Sequence, residues 1–182
     1  MNYSYKNFKK KAIIRFLALD KYHYLIHKKN SSDIRKNKEY QKIFNKFFMV
    51  RRDEAWRKVF YDFFEENKNN SKIKFEDILI YLYKKTGNIE ASFSSKMLAI
   101  INPNMPIWDQ YVIQNFDIVI DGKSKQERLE KTIEGYKEIL LIEKELLKRE
   151  DIQRSIKEFK NEFKEYNLSD IKILDYIVWN DR

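Results

Sequence analysis

The chain has 182 residues, 43% apolar and 15% aromatic, with three glycines, two prolines and no cysteine. That length suits one domain with a proper core, so few turn-formers argue against a strand-rich fold, and the missing thiol excludes disulfides, cysteine nucleophiles and iron–sulfur ligation. Of the net charge of +9, the excess lies in residues 1–70, with 18 Lys and Arg against 8 Asp and Glu; this suits a polyanion-binding face and equally a lysine-rich solvated surface.

In chain order, residues 3–29 read as a helix with Ala12, Ile13, Phe16, Leu17, Leu19, Tyr24 and Ile26 on its apolar side and Lys9, Lys10, Lys11, Arg15 and Lys21 opposite. His23 and His27 stand four apart on it, a metal-ligand spacing, but no third ligand is near in sequence and two partly buried histidines are the better reading. Ser32 or Asp33 can cap a second helix over 34–50. In R-R-D-E-A-W-R-K-V-F-Y-D-F-F, Trp56, Val59, Phe60 and Phe63 recur at helical spacing, with Asp53 and Glu54 in the first turn. Arg51, Arg52, Arg57 and Lys58 interleave with these aromatics, a pattern able to hold phosphates, although the aromatics themselves fit a core stripe. Asn67 to Ser71 is a loop. Residues 74–86 form a short apolar helix with Lys84 and Lys85 in its last turn and Gly87 as its stop.

The stretch Ala91 to Val112, A-S-F-S-S-K-M-L-A-I-I-N-P-N-M-P-I-W-D-Q-Y-V, holds both prolines and the longest run short of charge. A helix starts at Ser92, Ser94 and Ser95, breaks at Asn102 to Met105, and a second helix is expected to open at Pro106 with Asp109 in its first turn. A carboxylate there either stabilises its own helix or does chemistry. Residues 117–122 are extended or loop. Ser124 with Glu127 forms a capping box for a long helix with the stripe Leu129, Ile133, Tyr136, Leu140 and Leu147, in which Gly135 marks a close contact. Residues 151–165 are helical and polar, and a capped apolar helix ends the chain, with Trp179 docked on the core. The expected architecture is all-α, a single domain over 1–182 of about eight helices: basic helices over 1–70, a hairpin-like core over 74–116 carrying Asp109, and C-terminal helices over 124–182. No secretory signal pattern and no run near the ~20 apolar residues of a membrane helix is found, so a cytoplasmic protein without a membrane partner is expected.

The segment P-I-W-D-Q-Y-V, with the helix and loop before it, resembles the helix-hairpin-helix DNA glycosylases, in which P-[IV]-x-D-x-x-V brings a catalytic aspartate to a helix N-terminus. The likeness covers residues 75–115, and the run S-F-S-S-K-x-L-A-x-I-N-P-N-x-P-I-W-D is similar to a bacterial branch. The resemblance implies a compact multi-helix fold and a DNA partner, double-stranded with one base flipped out. It makes Asp109 the catalytic carboxylate, stabilising positive charge on the sugar or orienting water. Trp108 and Tyr111 would line the base pocket, and Ser92, Ser94, Ser95 and Lys96 would hold a phosphate, joined by Arg51, Arg52, Arg57 and Lys58. Lys96 lies a turn inside its helix, so the implied reaction is hydrolysis alone, with no cofactor and no metal. The alternative is a fold relative without catalysis, acting as a nucleic-acid or protein-binding module, in phage defence for example. A third reading is an all-α structural protein whose basic third is merely solvated.

Overall fold

The computed structural model describes residues 12–180, with side chains over 18–178. The expectations for Lys9, Lys10 and Lys11 and for the side chains of Ala12, Ile13, Arg15, Phe16, Leu17 and Trp179 lie outside the described residues. Within that range the chain is all helical: α1 Ala12–Lys28, α2 Lys38–Phe47, α3 Glu54–Asn67, α4 Phe75–Thr86, α5 Ala91–Ile101, α6 Gln110–Asn115, α7 Lys125–Leu146, α8 Glu150–Glu162, a 3-10 turn Lys164–Tyr166, and α9 Asp170–Asn180. No helix among these residues is long and apolar enough to cross a membrane.

The helix ends show how local chemistry sets the boundaries. The second helix starts later than expected because Asp33 turns back on itself, its carboxylate accepting the Arg35 N–H and gripping the Arg35 guanidinium. Asn37, not Ser32 or Asp33, then caps α2 by accepting the Tyr40 N–H at 2.9 Å. Asp53 is likewise the N-cap of α3, outside its first turn, and accepts the Trp56 N–H at 2.8 Å. Gly87 ends α4 in the left-handed conformation at φ 71°, with Lys84 and Lys85 in the last turn, as its position after a periodic apolar run predicts. At α7, Ser124 accepts the Glu127 N–H at 3.1 Å, while the Glu127 carboxylate reaches one residue further back, to the Lys123 N–H.

Two apolar clusters form the interior. The first gathers rings from α1 to α4, among them Tyr22, Tyr40, Phe44, Phe60, Phe64 and Phe75, and adds nearly all of α5. The second joins α6 to α9 through Val112, Ile118, Ile139, Ile156, Phe159, Leu174 and Val178. Helix α5 is buried almost all round, as its charge-poor sequence requires. Its last carbonyls, at Ile100 and Ile101, accept from the Lys29 ammonium at 2.9 and 3.0 Å, which satisfies acceptors that no helical N–H can reach. Trp108 packs against both clusters.

The long helix presents a slightly different stripe from the expected one. Leu129, Thr132, Gly135, Tyr136, Ile139 and Glu143 are its buried residues, while Ile133, Leu140 and Leu147 are half-buried on the flank. Gly135 sets this face: a Cβ there would stand 3.0 Å from Ile118 Cγ2 and Ile120 Cδ1 and 3.3 Å from Trp108. The close contact expected of this glycine is therefore with the 118–120 segment and the Trp108 ring.

Candidate functional site

The loop between α5 and α6 is the point where four elements meet. The helix expected to open at Pro106 opens four residues later, at Gln110. The reason is that the intervening backbone bonds elsewhere. Tyr136 of α7 donates to the Pro106 carbonyl at 2.8 Å. Asp175 of α9 accepts from the Ile107 N–H at a long 3.4 Å, and Ser95 of α5 accepts from the Trp108 N–H at 2.8 Å. These three side chains hold residues 106–108 as a non-helical strap. Asp109 follows with φ −126° and ψ 152° and caps α6, its carboxylate accepting the Tyr111 N–H at 2.9 Å. It sits at the N-cap, one step before the first turn, and is half-buried.

Beneath the strap lies a buried seam of charge. Lys172 and Asp175, one turn apart on α9, are 4% and 6% exposed and pair at 3.3 Å. The Lys172 ammonium also lies 4.8 Å from the ring centres of both Tyr22 and Tyr176, an aromatic cradle for a desolvated cation. Glu143 of α7 is fully buried, and neither carboxylate oxygen has a hydrogen-bond partner among the described residues. Burial pushes the Glu143 carboxyl well above its ordinary range, the Asp175 charge adds to this, and Lys172 opposes it. Asp175 is raised chiefly by burial, against the pull of Lys172 and the Ile107 N–H, with Asp109 adding to the rise. On α5, burial draws the Lys96 ammonium below the usual lysine range; Asp109 opposes the shift and Lys172 reinforces it. Asp109, Lys96, Lys172, Asp175 and Glu143 thus form a chain of mutually acting charges running from the half-exposed strap into the core.

The residues expected at a phosphate site are placed differently. Ser94 and Ser95 are buried; Ser95 donates to the Ser92 carbonyl at 2.9 Å while accepting from Trp108, so its hydroxyl is committed to the strap. Ser92 is half-buried. Lys96 donates to the Phe48 carbonyl at 3.3 Å and lies 5.3 Å from the Phe93 ring centre, turned toward the aromatic cluster. The N-terminus of α5 already has an anion: the Glu90 carboxylate, 3% exposed, accepts from Arg52 at 2.9 Å and from the Trp56 indole at 3.0 Å. Arg52 is held there, over the Trp56 and Phe93 rings. Ser95 and Arg52 thus already have partners within the chain, and Ser94 lies buried beside them. Arg51 and Lys58 are exposed, with Lys58 paired to Asp62 at 2.7 Å, and Arg57 is half-buried. Trp108, expected to line a base pocket, stacks toward Phe75 at 6.3 Å and bridges the two cores; Tyr111 is half-buried. His23 and His27 lie ring to ring at 4.2 Å, with His23 edge-on to Tyr166, and no group of three potential metal ligands occurs among the described residues.

Asp175, Lys172 and Glu143 escaped the sequence reading, and Tyr136 was read only as a member of its helix's apolar stripe. The signal for them was present. Lys172 and Asp175 are charged residues interleaved with Ile171, Ile173, Leu174, Ile177 and Val178, and Glu143 falls on the buried stripe of α7.

Fold and site together define an all-helical protein with a clamped, carboxylate-bearing strap over a buried ion-pair seam. The chain matches no protein-family model, no curated protein and no solved structure.

Proposed function

We propose that this protein binds DNA and hydrolyses the N-glycosidic bond of a modified or damaged base, with Asp109 as the catalytic carboxylate. The observation that carries the reading is the strap: a half-buried aspartate at a helix N-cap, in backbone clamped by side chains from α5, α7 and α9. A carboxylate fixed in that way stabilises the positive charge that grows on the sugar as the base departs, or orients the attacking water, without reorganising during the reaction. Ser95, Tyr136 and Asp175 act as positioning residues, since each bonds the backbone that carries Asp109. Lys96 of α5, its ammonium drawn down by burial and held up by the nearby Asp109 charge, is the positive neighbour of this carboxylate.

The test is base release, followed by mass spectrometry, from DNA carrying a panel of damaged and modified bases, with wild-type protein beside Asp109→Asn. Asparagine caps a helix as well as aspartate does, so the variant keeps its fold and its DNA affinity while base release is lost. Release that survives Asp109→Asn removes Asp109 from the chemistry. A second reading, a DNA-binding module without catalysis, draws on a separate observation. Two surface clefts, one between α2 and α3 and one on α8, are both formed without Asp109, and Trp108 is engaged in the core. Salt-sensitive DNA binding with no release from any substrate would establish it.

A further inference from the structure

Between α2 and α3 lies an open cleft of about 790 Å³, with no residue of the strap in its lining. Five cations line it: Arg35, Lys38 and Lys42 on one wall, Arg57 and Lys58 on the other. Glu54 and Asp62 are the acidic residues in its lining, which leaves an excess of three positive charges. The cations are not equivalent. Arg35 is held by Asp33 at 2.8 Å and Lys58 by Asp62 at 2.7 Å. Lys38, Lys42 and Arg57 make no ion pair among the described residues, although Arg57 is half-buried. Two neutral groups add hydrogen-bonding capacity at the floor. Tyr61 donates to the Asn45 side-chain carbonyl at 2.7 Å, which orients the amide and leaves its NH₂ to donate. Arg57 also lies close enough to Tyr61 to oppose the rise that burial gives its phenol.

We propose that this cleft is the seat of a nucleic-acid phosphodiester backbone, with Lys38, Lys42 and Arg57 as its free cations and Asn45 as a neutral donor. The inference rests on the DNA-binding half of the function proposed above and gives that half a location. Lys38 and Lys42 stand one helical turn apart, ~6 Å along α2, and Arg57 faces them from α3. Cations spaced along two walls suit a chain of single negative charges; a lone phosphate ester calls for donors converging on one point. The cleft gathers five of the 18 lysines and arginines of the first 70 residues. Arg57, named from the sequence for its place among aromatics, works here with Lys38 and Lys42, which the sequence reading did not single out.

The experiment is fluorescence anisotropy with a labelled 20-nucleotide strand, the corresponding duplex, and inorganic polyphosphate as competitor, across a salt series. Wild-type protein is compared with Lys38→Gln/Lys42→Gln, with Arg57→Gln, and with the exposed control pair Lys137→Gln/Lys144→Gln on α7. The cleft pair is expected to weaken binding about tenfold at low salt and to lower the salt slope by about two, with Arg57→Gln lowering it by about one. The control pair leaves both unchanged. Equal losses in the cleft and control pairs, or no loss in either, overturn the assignment, and so does polyphosphate binding more tightly than both oligonucleotides. Base release by a cleft variant that binds as wild type does would sink the cleft alone. Cleft-dependent binding without base release would sink the catalytic reading alone. The lysine substitutions are at exposed positions and Arg57 is half-buried, so a thermal melt for each variant checks that the fold is kept.

Discussion

The two clusters of the interior bury their polar atoms in opposite ways. Around Phe44 the first cluster is almost purely aromatic, with Phe44 against Phe48 at 4.7 Å, Phe60 at 5.4 Å and Phe64 at 5.8 Å. Its few phenols are committed: Tyr40 donates to the Leu25 carbonyl and Tyr61 to Asn45. The seam where the second cluster meets the first, beside α7 and α9, encloses Glu143, Lys172 and Asp175, with Lys172 between Tyr22 and Tyr176 and the Glu143 carboxyl unpartnered among the described residues. An arrangement of the first kind maximises stability. One of the second kind costs stability, because charge is desolvated with incomplete compensation, and perturbed groups gathered in this way concentrate at functional sites. The strap with Asp109 runs along the boundary between the two.

Trp108 packs against both, as Leu168 does, and is much the larger side chain, so its removal gives the largest effect. Trp108→Ala is expected to lower unfolding stability by about 3–4 kcal/mol in urea titrations, the usual cost of emptying a large aromatic site. A loss below about 1 kcal/mol would mean that the two clusters are held together without the ring.

Next comes a gain. A carboxyl whose pKa is raised on folding contributes stability that is complete below its unfolded pKa, about 4.3 for glutamate, and is lost as pH rises through the folded value. Burial raises Glu143 in this sense, so wild-type stability should decline from about pH 4.3 upward. Glu143→Gln removes the titrating group and should stabilise the protein by about 1–3 kcal/mol at pH 8, with little change near pH 4. Thermal melts across that range check both the sign and the window. A destabilised variant at pH 8 would show that the Glu143 charge is matched by a contact in the seam.

How much of this contrast could be read in advance follows from which forces are local. Helix stops and caps are set by neighbours in sequence, and Gly87, Asp53 and Ser124 all mark helix ends as their types suggest. The position of Asp109 beside a helix start was legible for the same reason. The strap was not, because the bonds that keep Pro106 out of a helix come from Ser95, Tyr136 and Asp175, up to 68 residues away. Nor could spacing alone tell that Ser95 faces inward to Trp108. A serine at a helix start can serve a ligand or its own chain, and only tertiary contact decides between them.

Two glycines carry the comparison to its finest grain, since each stands beside the strap or its flanking helices for a different physical reason. Gly87 has nothing within 4 Å of a built Cβ, but its φ is 71°. Alanine there meets only backbone strain, and Gly87→Ala is expected to cost about 1 kcal/mol with Asp109 undisturbed.

Gly135 is the reverse case, in an ordinary helical conformation but crowded by Ile118, Ile120 and Trp108. Alanine at this position gains about 1 kcal/mol of helix propensity, set against about 1–3 kcal/mol for forcing a methyl into a packed site. The net loss in Gly135→Ala should therefore lie between about 0 and 2 kcal/mol. Its effect on the site should be out of proportion to that figure, because the displaced atoms include the Trp108 ring, one residue before Asp109. Near-wild-type stability with impaired base release would mean that α7 positions the strap through packing as well as through the Tyr136 hydrogen bond. Equal behaviour of Gly87→Ala and Gly135→Ala in the release assay would confine the positioning to the three hydrogen bonds.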